Sequence, residues 1–320
     1  MLRALLLYLS KAGWARKLVT RWRVAWRVAS RFVAGETLGD AVQAVKELNR
    51  RGYNVTLDHL GEYTSDEAAA RKATEDVVAA LETIHAYQLR SGISIKLTQI
   101  GLAIDNGLCE ENLRRILNCA SEYGIFLRID MEDSQYLERT LALFERMFAE
   151  YGAGQVGIVL QSYLFRSADD AARLVGMGAR IRLVKGAYKE PAEIAFPEKK
   201  DVDTEFDKIT DILLSGALAQ GAPPVTADGR QPPLPAIASH DDRRVTYARA
   251  AADRIGLPKP AVEFQMLYGI RRELQEQLLQ AGYPVRIYVP YGSEWYPYFV
   301  RRLAERPANL WFFISNLFRK

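Results

Sequence analysis

From about residue 38 the chain alternates between two patterns. Short apolar runs rich in β-branched residues are followed by longer stretches in which apolar positions recur every three or four residues. The first pattern predicts strands and the second amphipathic helices, because side chains alternate across a strand but return to one helix face about every 3.6 residues. Strands are predicted at 55–58, 93–97, 126–130, 156–161, 181–185, 236–240, 261–265 and 285–289. Helical spacing fills 66–90, 107–121, 134–151, 167–176, 202–218, 242–253, 266–281 and 294–305. Ser65-Asp66 and Asp241-Asp242 sit where helix caps belong, and Gly52, Gly92, Gly124 and Gly282 fall near helix ends. Eight βα units predict an α/β fold, a closed (β/α)8 TIM-type barrel with extra N-terminal helices. A doubly wound sheet is the rival. Its dinucleotide-binding members carry a glycine-rich turn after the first strand, whereas here that strand runs into Asp58-His59-Leu60-Gly61-Glu62.

Two regions are predicted, a basic helical arm over 1–37 and a catalytic barrel over 38–320. The arm holds Arg3, Lys11, Arg16, Lys17, Arg21, Arg23, Arg27 and Arg31, and no acidic residue precedes Glu36. Interleaved Trp14, Trp22 and Trp26 suit a helix lying on an anionic membrane surface. An arm packed on its own domain and an Arg-rich presequence are the alternatives. Cations recur too often for a membrane span. The aromatic run 310–314 is too short for one and reads as a last helix on the barrel. The net charge of +4 is too small to argue for nucleic acid. Two cysteines exclude a four-ligand structural zinc site and favour a reducing cytoplasm.

Chemistry collects at the strand ends. Asp58, Lys96, Asp130, Gln161, Lys185, His240 and Gln265 close predicted strands, with Arg182 and Tyr288 just inside theirs. In a parallel barrel these ends meet at one rim, where catalytic loops sit. On the last predicted helix Tyr298, Arg301, Arg302 and Glu305 share adjoining faces, and two neighbouring arginines make a fork for a carboxylate or phosphate. Arg243-Arg244 and Arg271-Arg272 read instead as solvated faces. The same residues admit other chemistries: an aldolase using Lys96 or Lys185 as a Schiff-base amine, or a metal-dependent hydrolase using Asp130, Glu132 and His240. A non-catalytic membrane-surface scaffold is the third reading.

Five motifs carry a further reading: SIKLTQIG at 94–101, LRIDME at 127–132, RLVKGAYKEP at 182–191, ASHD at 238–241 and YFVRRLAE at 298–305. In this order the chain resembles the flavin-binding proline dehydrogenases, which occur alone in many bacteria and as a domain of bifunctional enzymes. The resemblance runs from about residue 55 to 305. It implies oxidation of L-proline to 1-pyrroline-5-carboxylate with FAD as cofactor and no metal. Electrons would pass to a membrane quinone, from a cytoplasmic enzyme peripheral on the inner face of the membrane. It implies flavin contacts at Met131, Gln161, Arg182, Lys185, Gly186, Ala187, Tyr188, Ser239, His240 and Glu305. Substrate contacts fall on Lys96, Tyr288, Tyr298, Arg301 and Arg302. Asp130 and Arg182 take catalytic roles, and Glu62 gates the site by pairing with the arginines when it is empty.

Overall fold

The computed structural model describes Trp26, residues 29–61 and residues 63–305, with side chains described as far as Arg302. Eight strands close into one barrel: β1 Asn54–His59, β2 Ser91–Ile95, β3 Leu127–Ile129, β4 Val156–Gln161, β5 Arg180–Val184, β6 Pro235–Ala238, β7 Glu263–Leu267 and β8 Val285–Tyr291. Every neighbouring pair is parallel, and β8 returns to β1 with Thr56 opposite Tyr288. The helices are α1 Leu38–Arg50, α2 Glu67–Ala86, α3 Asn106–Glu122, α4 Ser134–Tyr151, α5 Ser167–Gly176, α6 Lys199–Ala219, α7 Asp242–Arg254, α8 Arg272–Gln280 and α9 Trp295–Glu305.

Local chemistry explains the punctuation. Asp66 caps α2 by accepting the Ala69 amide at 2.9 Å, and Asp241 caps α7 through the Arg243 amide. Most strand boundaries shift by one or two residues from the sequence prediction, and two starts shift by two. The second strand begins at Ser91, so Gly92 lies within it and Lys96 just beyond its end. The seventh begins at Glu263, because Pro258 and Pro260 organise a 3-10 turn over Lys259–Ala261.

Strand alternation sorts the barrel into two shells. Leu57, Ile93, Ile95, Leu127, Ile129, Ile181, Leu183, Phe264 and Ile287 are buried in the large apolar core beneath the helices. Between them Asp58, Ser94, Arg128, Arg182, Glu263, Gln265 and Arg286 are buried too. Ser94, Arg182, Gln265, Glu263 and Arg286 form one hydrogen-bonded chain, while Asp58 accepts from Lys96 and Arg128 donates to the Ile158 carbonyl.

The helix that precedes β1 alters the ring. α1 packs against both β8 and β1, and Arg51, which caps its C-terminal end, meets Glu276 of α8 at 3.5 Å. It thereby fills the outer slot that the helix after β8 would otherwise occupy. α9 is released to lie over the C-terminal rim, where Tyr298, Arg301 and Arg302 reach the barrel mouth. Of the arm, residues 29–36 and Trp26 pack beside α9; its remainder and the run at 310–314 lie outside the described residues. Among the described residues no helix is long and apolar enough to cross a membrane.

Candidate active site

The strand ends and α9 enclose a cavity of about 430 Å³, a size suited to small ligands and cofactors, which occupy roughly 300–1,000 Å³. Its floor is an ionic cluster. Lys96 Nζ donates to Asp58 Oδ1 at 3.0 Å and lies 3.6 Å from Asp130 Oδ2. Tyr288 OH donates to Asp130 Oδ2 at 2.7 Å, and Arg182 donates to Asp130 Oδ1 at 2.8 Å. Arg182 also reaches Gln265 Oε1 and Ser94 Oγ, and its guanidinium lies over the Tyr288 ring. Burial pushes the Asp58 carboxyl above its usual range, Asp130 adds to this, and Lys96 opposes it. Burial and the neighbouring carboxylates also push Tyr288 well above the ordinary phenol value, so it stays a donor. Replacing Tyr288 by phenylalanine should therefore cost about 1.5–3 kcal/mol, the range for a hydrogen bond to a charged group. A urea denaturation midpoint equal to the parent's would show that this bond carries nothing.

Below the floor the network continues. Gln265 Nε2 donates to Glu263 Oε1 at 2.6 Å, and Glu263 accepts from Arg286 Nε at 2.9 Å. The anion on Glu263 fixes which way the Gln265 amide faces, and so presents the amide oxygen to Arg182.

The wall is built from β4 to β7 and the loops that follow them. Gln161 Oε1 is buried and has no hydrogen-bond partner, while its Nε2 reaches Met131 O at 3.5 Å. His240 Nε2 accepts the Leu267 amide at 3.0 Å, which places the ring proton on Nδ1. Lys185 lines the cavity, with its ammonium 2.5 Å from Asp203 and 2.7 Å from Asp241. Gly186 has φ +117°, and a Cβ there would lie 2.1 Å from the Tyr163 ring. Glycine is needed at this bend by the protein's own packing.

Lys96, Asp130, Met131, Gln161, Arg182, Lys185, Gly186, Ala187, Tyr188, Ser239, His240, Tyr288, Tyr298, Arg301 and Arg302 all border this one cavity. Two expected site residues do not enter the description: Glu62 is outside the described residues, and Glu305 ends α9 with its side chain outside them. Sequence reasoning gave no site role to Asp58, Ser94 or Gln265. Asp58 and Gln265 stood among the polar strand ends, and Ser94 shares the inward face with Lys96. Arg271 and Arg244 do not lie on purely solvated faces but are partly engaged. Arg271 grips Asp242 with two nitrogens and the His240 carbonyl with one, bracing the wall, and Arg244 pairs with Asp207 at 3.1 Å. Glu132, a metal-ligand candidate in the hydrolase reading, accepts the backbone amide and hydroxyl of Thr98.

A closed parallel barrel with charged side chains gathered around one cavity at its strand ends has the architecture of a barrel enzyme. The chain belongs to the proline dehydrogenase family, whose sequence profile matches residues 41–314. It is 40% identical over 324 residues to proline dehydrogenase 1 of Bacillus subtilis (strain 168), with all of both chains covered. It is 42% identical over 298 residues to the proline dehydrogenase of Deinococcus radiodurans, covering 92% of this chain and 91% of that one. Among solved structures, proline utilization A from Bdellovibrio bacteriovorus inactivated by N-propargylglycine superposes with a TM-score of 0.78 at 25% identity. That match takes in 88% of this chain and 33% of the larger protein.

Proposed function

We propose that the chain oxidises L-proline to 1-pyrroline-5-carboxylate in an FAD-dependent reaction and passes the electrons to a membrane quinone. One observation carries the reading. In a family barrel, Lys96, Arg301 and Arg302 converge on a single cavity walled by Tyr288 and Tyr298. The wall suits a flavin: the buried, unpartnered Gln161 oxygen is an acceptor waiting for a ring N–H. Gln161, Arg182, the segment from Lys185 to Tyr188, Ser239 and His240 would hold the cofactor, with Met131 beside its ring and Glu305 assigned to its ribose. FAD bound there would supply the acceptor for a hydride.

The remaining work belongs to the chain. Arg301 and Arg302, with Lys96, bind the carboxylate, since a guanidinium fork matches its two oxygens. Tyr288 and Tyr298 pack against the pyrrolidine ring and shed water from it. Fixing both ends of so small a molecule presents one ring carbon in one orientation, where geometry counts most. The product has lost two protons as well as two electrons, and one proton leaves the amine. Asp130, already oriented by Arg182 and Tyr288, is the carboxylate offered at that end. Glu62 is assigned to the arginine fork in the absence of substrate. The acid-free stretch before Glu36 gives the barrel a basic arm, which would hold it against the inner face of the cytoplasmic membrane, near the quinone.

The visible spectrum tests this directly. The purified protein should be yellow, and anaerobic L-proline should bleach its flavin band. Protein that takes up added FAD yet keeps its colour with proline present would refute the assignment.

A further inference from the structure

α9 carries the arginine fork, yet its apolar face is not part of the barrel core. Its Trp295, Tyr296, Tyr298, Phe299 and Val300 belong to a separate buried cluster. Among the described residues the rim supplies Leu60 and Ile270 to that cluster, with Leu267 half-buried against it, and the end of the N-terminal arm supplies Ala29, Phe32, Val33 and the partly buried Trp26. Trp26 meets Trp295 edge-on with centroids 5.3 Å apart, and Phe32 meets Phe299 at 6.3 Å.

This segment is anchored at both sides of the contact. The Ala34 amide donates to Pro290 O at 2.9 Å, and the Gly292 amide donates to Gly35 O at 3.0 Å, tying it to the end of β8. Trp295 Nε1 donates to Glu36 Oε1 at 2.8 Å. Gly269, at φ +74°, lets the segment cross the turn after β7: a Cβ there would lie 1.7 Å from the Arg31 carbonyl. Tyr298 belongs both to the cluster and to the cavity wall, one helical turn before Arg301 and Arg302.

We propose that Trp26 and residues 29–36 form a strap that sets how α9 sits over the barrel mouth, making Trp26, Phe32 and Glu36 positioning residues for carboxylate binding. The inference rests on the reading of Arg301 and Arg302 as the carboxylate fork. A helix whose apolar face is shared between the rim and a covering segment takes its angle from both. The fork's two nitrogen-bearing planes must meet one carboxylate together, so a small tilt of α9 weakens binding without altering groups on the barrel floor.

The test uses the full-length, cofactor-loaded chain and cyclopentanecarboxylate, which has the ring and carboxylate but no amine. Its dissociation constant is measured by calorimetry beside KM and kcat for L-proline. Phe32→Ala and Trp26→Ala should weaken the probe roughly tenfold, equivalent to about 1.4 kcal/mol. KM should rise in parallel while kcat stays within about twofold, and Phe32→Leu and Trp26→Phe should recover most of the affinity. Glu36→Ala removes one polar contact at the surface and should still fold, with a loss of about threefold. Variants with a lower melting temperature but parental affinity and KM would make the segment a mere staple and overturn the proposal. Arg302→Ala is the control. If it weakens the probe while the strap variants do not, the strap fails and the fork stands. If it leaves the probe unaffected, the fork reading falls and takes the strap with it.

Discussion

Arg302→Ala should raise the KM for L-proline roughly 30- to 5,000-fold, with a smaller fall in kcat. The magnitude follows from the cost of truncating one partner of a desolvated, hydrogen-bonded charge pair, about 2–5 kcal/mol. Arg302 is half-buried on α9 with its guanidinium 5.0 Å from the Tyr298 ring centroid. That stacking holds the fork's plane, so lysine should restore little: it keeps the charge but neither the plane nor the paired donors. The floor beneath adds to the pull on an anion. Lys96, Arg128, Arg182 and Arg286 face Asp58, Asp130 and Glu263, four cationic side chains against three anionic ones inside the barrel. Steady-state kinetics with proline decide the matter, and a KM within about threefold of the parent would remove Arg302 as the anchor.

The barrel was legible because its signal is local. Each strand announces itself over five or six residues, and each helix by its own spacing, so Val156–Gln161 and Ser134–Tyr151 fall where the pattern puts them. Small slips in strand ends did not harm the site. Lys96 lies outside β2, yet it shares the inward side with Ser94 by simple alternation. What could not be read was partnership across the lumen. Arg182 on β5 finds Gln265 on β7, Asp130 after β3 and Ser94 on β2 only because the sheet closes. Gln265 and Asp58 therefore looked like strand-end residues without a role. The displacement of α9 was hidden for a similar reason. Periodicity gives α9 and the arm as helices, but the slot beside β8 and β1 goes to α1 through packing between distant segments. The motifs carried the rest: Gly186 was expected to admit a cofactor, whereas the structure gives it a second reason in the Tyr163 ring.

Asp130→Ala should lower the unfolding free energy by about 3–5 kcal/mol and nearly abolish turnover. The stability loss comes from charge rather than from volume. Asp130 is the anion that Arg182 contacts, and Lys96 shares it with Asp58. Its removal leaves two anions among four buried cations, where Arg128 is already pushed well below its ordinary value by burial and by Arg182 and Arg286. Stripping one partner from such a cluster leaves an uncompensated charge in a medium that solvates it poorly. Asp130→Asn separates the two causes. The amide oxygen can still accept from Arg182, and its NH2 can donate to the Tyr288 oxygen once that hydroxyl rotates. Hydrogen bonds thus survive while the charge is lost. Asparagine should cost most of what alanine costs, read from denaturant unfolding at neutral pH. If asparagine unfolds at the parent's midpoint, hydrogen bonding alone holds this floor together, and the excess of buried cations cannot be what draws the carboxylate in.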